Sequence, residues 1–132
     1  MRRVGHNGQP EIWFRSNPGL PLALLLELFR SRKITATPRF GARNESHPKG
    51  YELGQIVVLR VLDDEKNEQF RCQAEIRALR ISPLGQLTKR DLEGTELYKD
   101  WRVVQRDLSA FEGRWISPEE VVSVVGFSYL NA

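Results

Sequence analysis

Two segments, Gln55–Leu62 (QIVVLRVL) and Val121–Leu130 (VVSVVGFSYL), are apolar on both alternating faces and rich in β-branched residues. A strand of that kind is stable only inside a sheet that is covered on each side. This requirement excludes a helical bundle. A third segment, Phe70–Ala78, alternates cleanly: Phe70, Cys72, Ala74, Ile76 and Ala78 fall on one side, Arg71, Gln73, Glu75 and Arg77 on the other. The charged turn Asp63–Glu68 separates it from Gln55–Leu62, so the two read as a hairpin. The phase slips at Leu79, where Ile81 joins the apolar set, and predicts a bulge or a strand end there.

The rest of the chain supplies shorter elements around these three. Glu11–Arg15 (EIWFR) reads as a first strand, ended by Ser16-Asn17-Pro18-Gly19. Leu20–Arg30 reads as a buried helix, with Pro21 tolerated in its first turn. Arg32–Arg39 reads as a strand and Phe40–Leu53, rich in Gly, Asn, Ser and Pro, as a long loop. Thr88 followed by Asp91 is a variant capping box opening a short helical turn that stops at Gly94. A second helix is expected over Thr95–Ser109, with Leu97, Trp101, Val104 and Leu108 on its apolar face. The composite is α+β: about five strands curled into a small barrel, with flanking helices. Residues 1–10 read as a flexible tail and residues 11–132 as a single domain.

Several function classes drop out on composition. Cys72 is the one cysteine, and only His6 and His47 accompany it, so no metal-ligand spacing exists and no metal or cofactor is expected. The apolar run LPLALLLELF is interrupted by Glu27 and lacks a small-residue cleavage site. It is also far below the roughly 20 residues needed to span a bilayer. A cytoplasmic protein without membrane contact is therefore expected. Charge is distributed unevenly: residues 1–50 hold nine Lys/Arg against three Asp/Glu, while residues 51–132 hold eleven against fourteen. A basic N-terminal third suits a phosphate-bearing partner such as RNA.

Within that third, SRKITATPR places Lys33, Thr35, Thr37 and Arg39 on one side of an extended chain and Ile34, Ala36 and Pro38 on the other. An amine, two hydroxyls and a guanidinium in one row read either as a solvated face or as the floor of a site for a polar or anionic ligand.

The order of elements and motifs resembles the ASCH domain, a family of the PUA-like fold. The likeness rests on a short helix, Arg32-Lys33-x-x-x-Thr37-x-Arg39, a polar loop, Gly54 and a hydrophobic strand with its hairpin return. It continues with Leu87-Thr88-x-x-x-x-Glu93-Gly94, an amphipathic helix and a final hydrophobic strand, and covers Leu22 to Tyr129. The resemblance implies a small PUA-like β-barrel and RNA or nucleotide chemistry. Small bacterial members remove the acetyl group from 4-acetylcytidine with a Lys, a Thr and a Glu. These map onto Lys33, Thr37 and Glu93. Substrate- or RNA-binding roles are implied for Thr35, Arg39, Arg43, His47 and Lys49, the last two in a loop similar to that of the amidohydrolase.

The chemistry implied is coherent. A Thr hydroxyl needs an adjacent base to take its proton, and a desolvated lysine can serve. Arg39 would offer two parallel hydrogen bonds to a phosphate or a base carbonyl. Lys33 and Thr37 are four residues apart, one more than in the amidohydrolases, and Thr35 competes as the nucleophile. Three functions follow in order: a hydrolase (an amidohydrolase on a modified nucleoside), a non-catalytic RNA-binding module using the same basic cleft, and a ribonuclease relying on Lys33 and His47.

Overall fold

The computed structural model describes residues 10–17, 19–40 and 51–130. Strands β1 (Glu11–Phe14), β2 (Ala36–Phe40), β3 (Ile56–Leu62), β4 (Glu68–Pro83) and β5 (Val121–Tyr129) form one mixed sheet. Their order is β1-β3-β4-β5-β2, and the sheet curls into a half-barrel. Helix α1 (Leu22–Arg30) follows β1, and α2 (Trp101–Glu112) precedes β5. β1 pairs parallel with β3, whereas the β3–β4, β4–β5 and β5–β2 ladders are antiparallel.

The sequence pattern explains the two cores. Along β5, Val125 and Phe127 enter the inner core with α1 and β1, while Val122 and Val124 lie in the second core beneath α2. Both faces of this strand are covered, as its uninterrupted apolar run requires. β3 follows the same logic, with Val57, Leu59 and Val61 in the inner core and Val58 and Leu62 buried as well.

α1 is not a fully buried helix. Only Leu25 and Phe29 are enclosed, four residues apart on one stripe, and Leu24 is exposed. A helix lying on one face of a curled sheet has a single face to bury. Phe29 packs edge-on to Phe14 of β1, with ring centroids 4.7 Å apart. Burying Leu25 and Phe29 contributes about 1.5–3 kcal/mol each.

Other boundaries shift for local reasons. The motif strand begins at Ala36, because Thr35 and Ala36 donate their amides to the Gly94 carbonyl at 2.8 and 3.2 Å before sheet pairing starts. In β4 the ladder slips between Ile76 and Ala78, two residues before the expected point. Ala78 therefore turns to solvent, Leu79 packs on the inner core, and the strand continues to Pro83. The capping box forms reciprocally: the Asp91 amide donates to Thr88 Oγ1 at 3.3 Å, and the Thr88 amide donates to Asp91 Oδ2 at 2.9 Å.

α2 starts at Trp101, six residues later than expected. Asp100 caps it by accepting from the Arg102 amide at 2.8 Å, and Gly113 ends it in the left-handed region. Leu97 lies outside the helix with half its surface exposed. No helix among the described residues is long and apolar enough to cross a membrane.

Candidate active site

The registers fix which way the motif strand points. Thr37 pairs with Val125 and Arg39 with Ser123, so both share the inner face. Ala36 and Phe40 instead join the α2 core. β2 and β1 are the two edges of the sheet. Arg39 reaches across the gap, donating from Nη2 to the Trp13 carbonyl at 2.9 Å, with its guanidinium 4.9 Å from the centre of the Phe14 ring. The opening of the half-barrel is thus bridged by one arginine.

Thr37 is wholly buried, and its hydroxyl donates to Glu96 Oε2 at 3.0 Å. A tight turn delivers that carboxylate. The Leu97 amide donates to the Thr95 carbonyl at 2.7 Å, closing a three-residue turn centred on Glu96. Leu97 takes φ 61°, a conformation costly for a branched side chain. Its half-exposed side chain gains little in return. Thr95 anchors the turn from below, donating from Oγ1 to the Leu92 carbonyl at 2.6 Å.

Around this pair stand Arg39, Tyr98 and Asp107. Glu96 Oε1, Arg39 Nε and Asp107 Oδ2 are enclosed, with no hydrogen-bond partner among the described residues. Buried polar atoms are nearly always satisfied, so three such atoms in one neighbourhood single this cluster out as a candidate site. Burial pushes the Glu96 carboxyl up to about 7, and the Asp107 charge adds to that. The Arg39 charge and the Thr37 hydroxyl oppose the shift without cancelling it. Burial, followed by the Glu96 and Asp107 charges, holds the Tyr98 phenol well above its usual range, so it remains a hydrogen-bond donor, bonded to Asp107.

Two clefts flank the cluster. One, of about 380 Å³, runs past Arg39 between Trp13, Arg15, Phe40 and the end of α2 at Phe111. The other, wider and of about 610 Å³, is lined by Lys89, Leu92, Glu93, Tyr98 and Lys99. Both volumes suit a small organic ligand.

The residues expected to act fall into three groups. Thr37 and Arg39 are together at the cluster. Lys33 and Thr35 precede β2 and are exposed. Glu93 is also exposed and faces the wider cleft, while Glu96, three residues further on, is the carboxylate that touches Thr37. Arg43, His47 and Lys49 lie outside the described residues. Among the described residues no group of three or more His, Cys, Asp or Glu is placed to hold a metal.

Glu96, Tyr98 and Asp107 carry no motif. One signal was available: Asp107 falls three residues after Val104 and one before Leu108, a carboxylate set within the apolar stripe of an amphipathic helix.

No family model and no curated protein matches this sequence. Solved structures do. The chain is similar to a DUF984-family protein from Enterococcus faecalis V583 (TM-score 0.60, 17% identity, covering 92% of this chain and 76% of that one). It is equally similar to an ASCH domain from Lactobacillus crispatus JV V101 (TM-score 0.60, 13% identity, 90% and 77% covered). The fold is ASCH-like. Thr37, bonded to Glu96, lies on the edge strand β2, and Arg39 crosses from that edge to β1.

Proposed function

We propose that this protein is a small hydrolase acting on an amide-bearing modified nucleoside of the 4-acetylcytidine type. One observation carries the reading: a buried hydroxyl, Thr37 Oγ1, donates to a carboxyl that titrates near neutrality, Glu96 Oε2. A general base works best when its pKa lies near the working pH, and a Thr nucleophile needs such a base in contact.

The chemistry balances with these groups alone. Thr37 Oγ attacks the acyl carbon as its proton passes to Glu96 Oε2. The C–N bond then breaks, and Glu96 returns the proton to the leaving exocyclic nitrogen. Water, deprotonated in turn by Glu96, attacks the acyl-Thr37 ester; the C–Oγ bond breaks, Glu96 returns that proton to Thr37 Oγ, and the acid is released. Arg39 supplies donors for the base carbonyl or a phosphate. Lys33 is exposed ahead of β2 and lines neither cleft; the base role implied for it by resemblance passes in this reading to Glu96.

The test is turnover of 4-acetylcytidine and related N-acylated nucleosides, followed by acetate release. The parent and Lys33→Ala should turn over, and Thr37→Ala and Glu96→Gln should not. No turnover on any member of the panel overturns the proposal. The second reading, a non-catalytic RNA-binding module, is favoured by the cleft that sets Arg15 and Arg39 beside Trp13 and Phe40. It would show as binding that weakens steeply with added salt.

A further inference from the structure

Arg15 stands one residue past β1, and the proposed reaction does not use it. It is half-buried and lines the cleft of about 380 Å³, yet it makes no hydrogen bond or ion pair among the described residues. A guanidinium carries five N–H donors and accepts nothing. Donors held in a half-enclosed cleft without acceptors favour an anionic occupant.

The second arginine of this cleft is already committed. Arg39 gives Nη2 to the Trp13 carbonyl at 2.9 Å and lies over the Phe14 ring. Glu112, at the end of α2, lines the cleft but is exposed, so water and salt screen its charge. Its carboxylate can accept from hydroxyls of a ligand. Phe111 beside it is 59% exposed and presents a ring on which a base can stack. One cleft therefore offers a cation without an anion, an acceptor for hydroxyls and an aromatic face. A nucleoside phosphate carries all three complements on one molecule, and arginine binds phosphate through two parallel hydrogen bonds.

The cleft also adjoins the proposed reacting groups. Arg39, which lines it, follows Thr37 by two residues on the same face of β2. We propose that Arg15 is a specificity-determining residue that binds a phosphate, so that the preferred ligand of this site is a nucleoside monophosphate and not the free nucleoside. The choice of substrate rests on the hydrolase reading, whereas the site itself is testable by binding alone.

The test is calorimetric titration of the full chain with cytidine, cytidine 5′-monophosphate and cytidine 3′-monophosphate. One of the monophosphates should bind at least about tenfold tighter than cytidine, the scale of a charge-assisted pair of hydrogen bonds. Arg15→Met keeps the apolar stem and should bring that ratio close to one. Lys66→Gln removes an exposed charge from the turn between β3 and β4, away from the cleft, and should keep the ratio. Equal binding of cytidine and both monophosphates overturns the proposal. So does a ratio that survives Arg15→Met, or one that Lys66→Gln abolishes equally. Tight binding confined to a longer oligocytidylate overturns it in favour of the RNA-binding module.

Turnover separates this proposal from the reading beneath it. In an active enzyme, kcat/KM should be higher for the monophosphate of 4-acetylcytidine than for 4-acetylcytidine, and Arg15→Met should shrink that difference. An Arg15-dependent preference for a monophosphate in a protein that hydrolyses nothing would refute the hydrolase reading and leave the phosphate site standing. Turnover of 4-acetylcytidine without any preference for a monophosphate would do the reverse.

Discussion

Arg39 Nη2 and the Trp13 carbonyl, 2.9 Å apart, join the two edge strands of an open sheet. The same guanidinium faces the Phe14 ring and counters the buried Glu96 charge. Closure of the fold and electrostatics of the site therefore hang on one side chain.

Arg39→Met keeps the apolar stem and removes the charge. It should lower stability by about 1–3 kcal/mol, since a hydrogen bond to a charged donor is lost and two carboxylates lose their enclosed cation. Arg39→Lys should recover less than half of that loss, because an ammonium cannot reproduce the planar fork. Urea denaturation at pH 7 measures both. A neutral Arg39→Met would show that the bridge is idle.

Thr37→Val is isosteric and leaves Glu96 Oε2 without its donor. An enclosed acceptor so orphaned costs about 1–3 kcal/mol. The hydroxyl also favours the ionised carboxylate, so Glu96 should titrate higher still. Thr37→Ser should retain both the midpoint and any activity. A Glu96 midpoint unmoved in Thr37→Val would mean that the pair is not coupled.

Stability should depend on pH through Glu96. Its folded midpoint, near 7, lies above the ordinary value of 4.5. A carboxyl raised on folding makes the folded state bind more protons than the unfolded one. That contribution is fully present below about pH 4.5 and is lost as pH rises through 7. Glu96→Gln should therefore gain stability relative to the parent between pH 5 and pH 8, by an amount on the order of 3 kcal/mol. Denaturation midpoints of both proteins at several pH values test this. Parallel curves would mean that the carboxyl is not desolvated.

Gly94→Ala probes the joint between the two motifs. Gly94 has φ 75°, and a Cβ there would overlap Thr35 Oγ1. Its carbonyl also accepts the amides that start β2. The substitution should cost about 1–3 kcal/mol through strain and steric displacement. Combining it with Thr35→Gly should relieve part of that cost. Full stability in Gly94→Ala would show that the contact is loose.

Much of this architecture is legible in the sequence. The strands β3, β4 and β5 carry periodicities that only a covered sheet satisfies, and the Thr88–Asp91 cap is written in local spacing. What escaped was set by long-range geometry. Glu96 reaches Thr37 across 59 positions through a turn whose residue Leu97 lacks the glycine that left-handed backbone usually announces. Leu97 also completes an apolar helical spacing by coincidence, which extended the expected helix backward over the turn. The motif strand starts late because its first amides go to Gly94, a pairing that no local pattern encodes. Thr37 and Arg39 could be picked out because they share the alternating row. Asp107 could have been found only by asking why a carboxylate interrupts an apolar stripe.

The pairing of β2 with β5 has a consequence for how the chain acquires its site. Thr37 lies opposite Val125, from near the two ends of the described chain, whereas β3 and β4 meet across a short turn. Loop closure favours the local hairpin early and the distant pair late. Partly folded chains would hold most of the sheet while Arg39 and Glu96 remained in water, with the Glu96 carboxyl titrating as an ordinary carboxylate. The proton on Glu96 would then be taken up in the last docking step, and refolding through that step should draw a proton from the solvent near neutral pH.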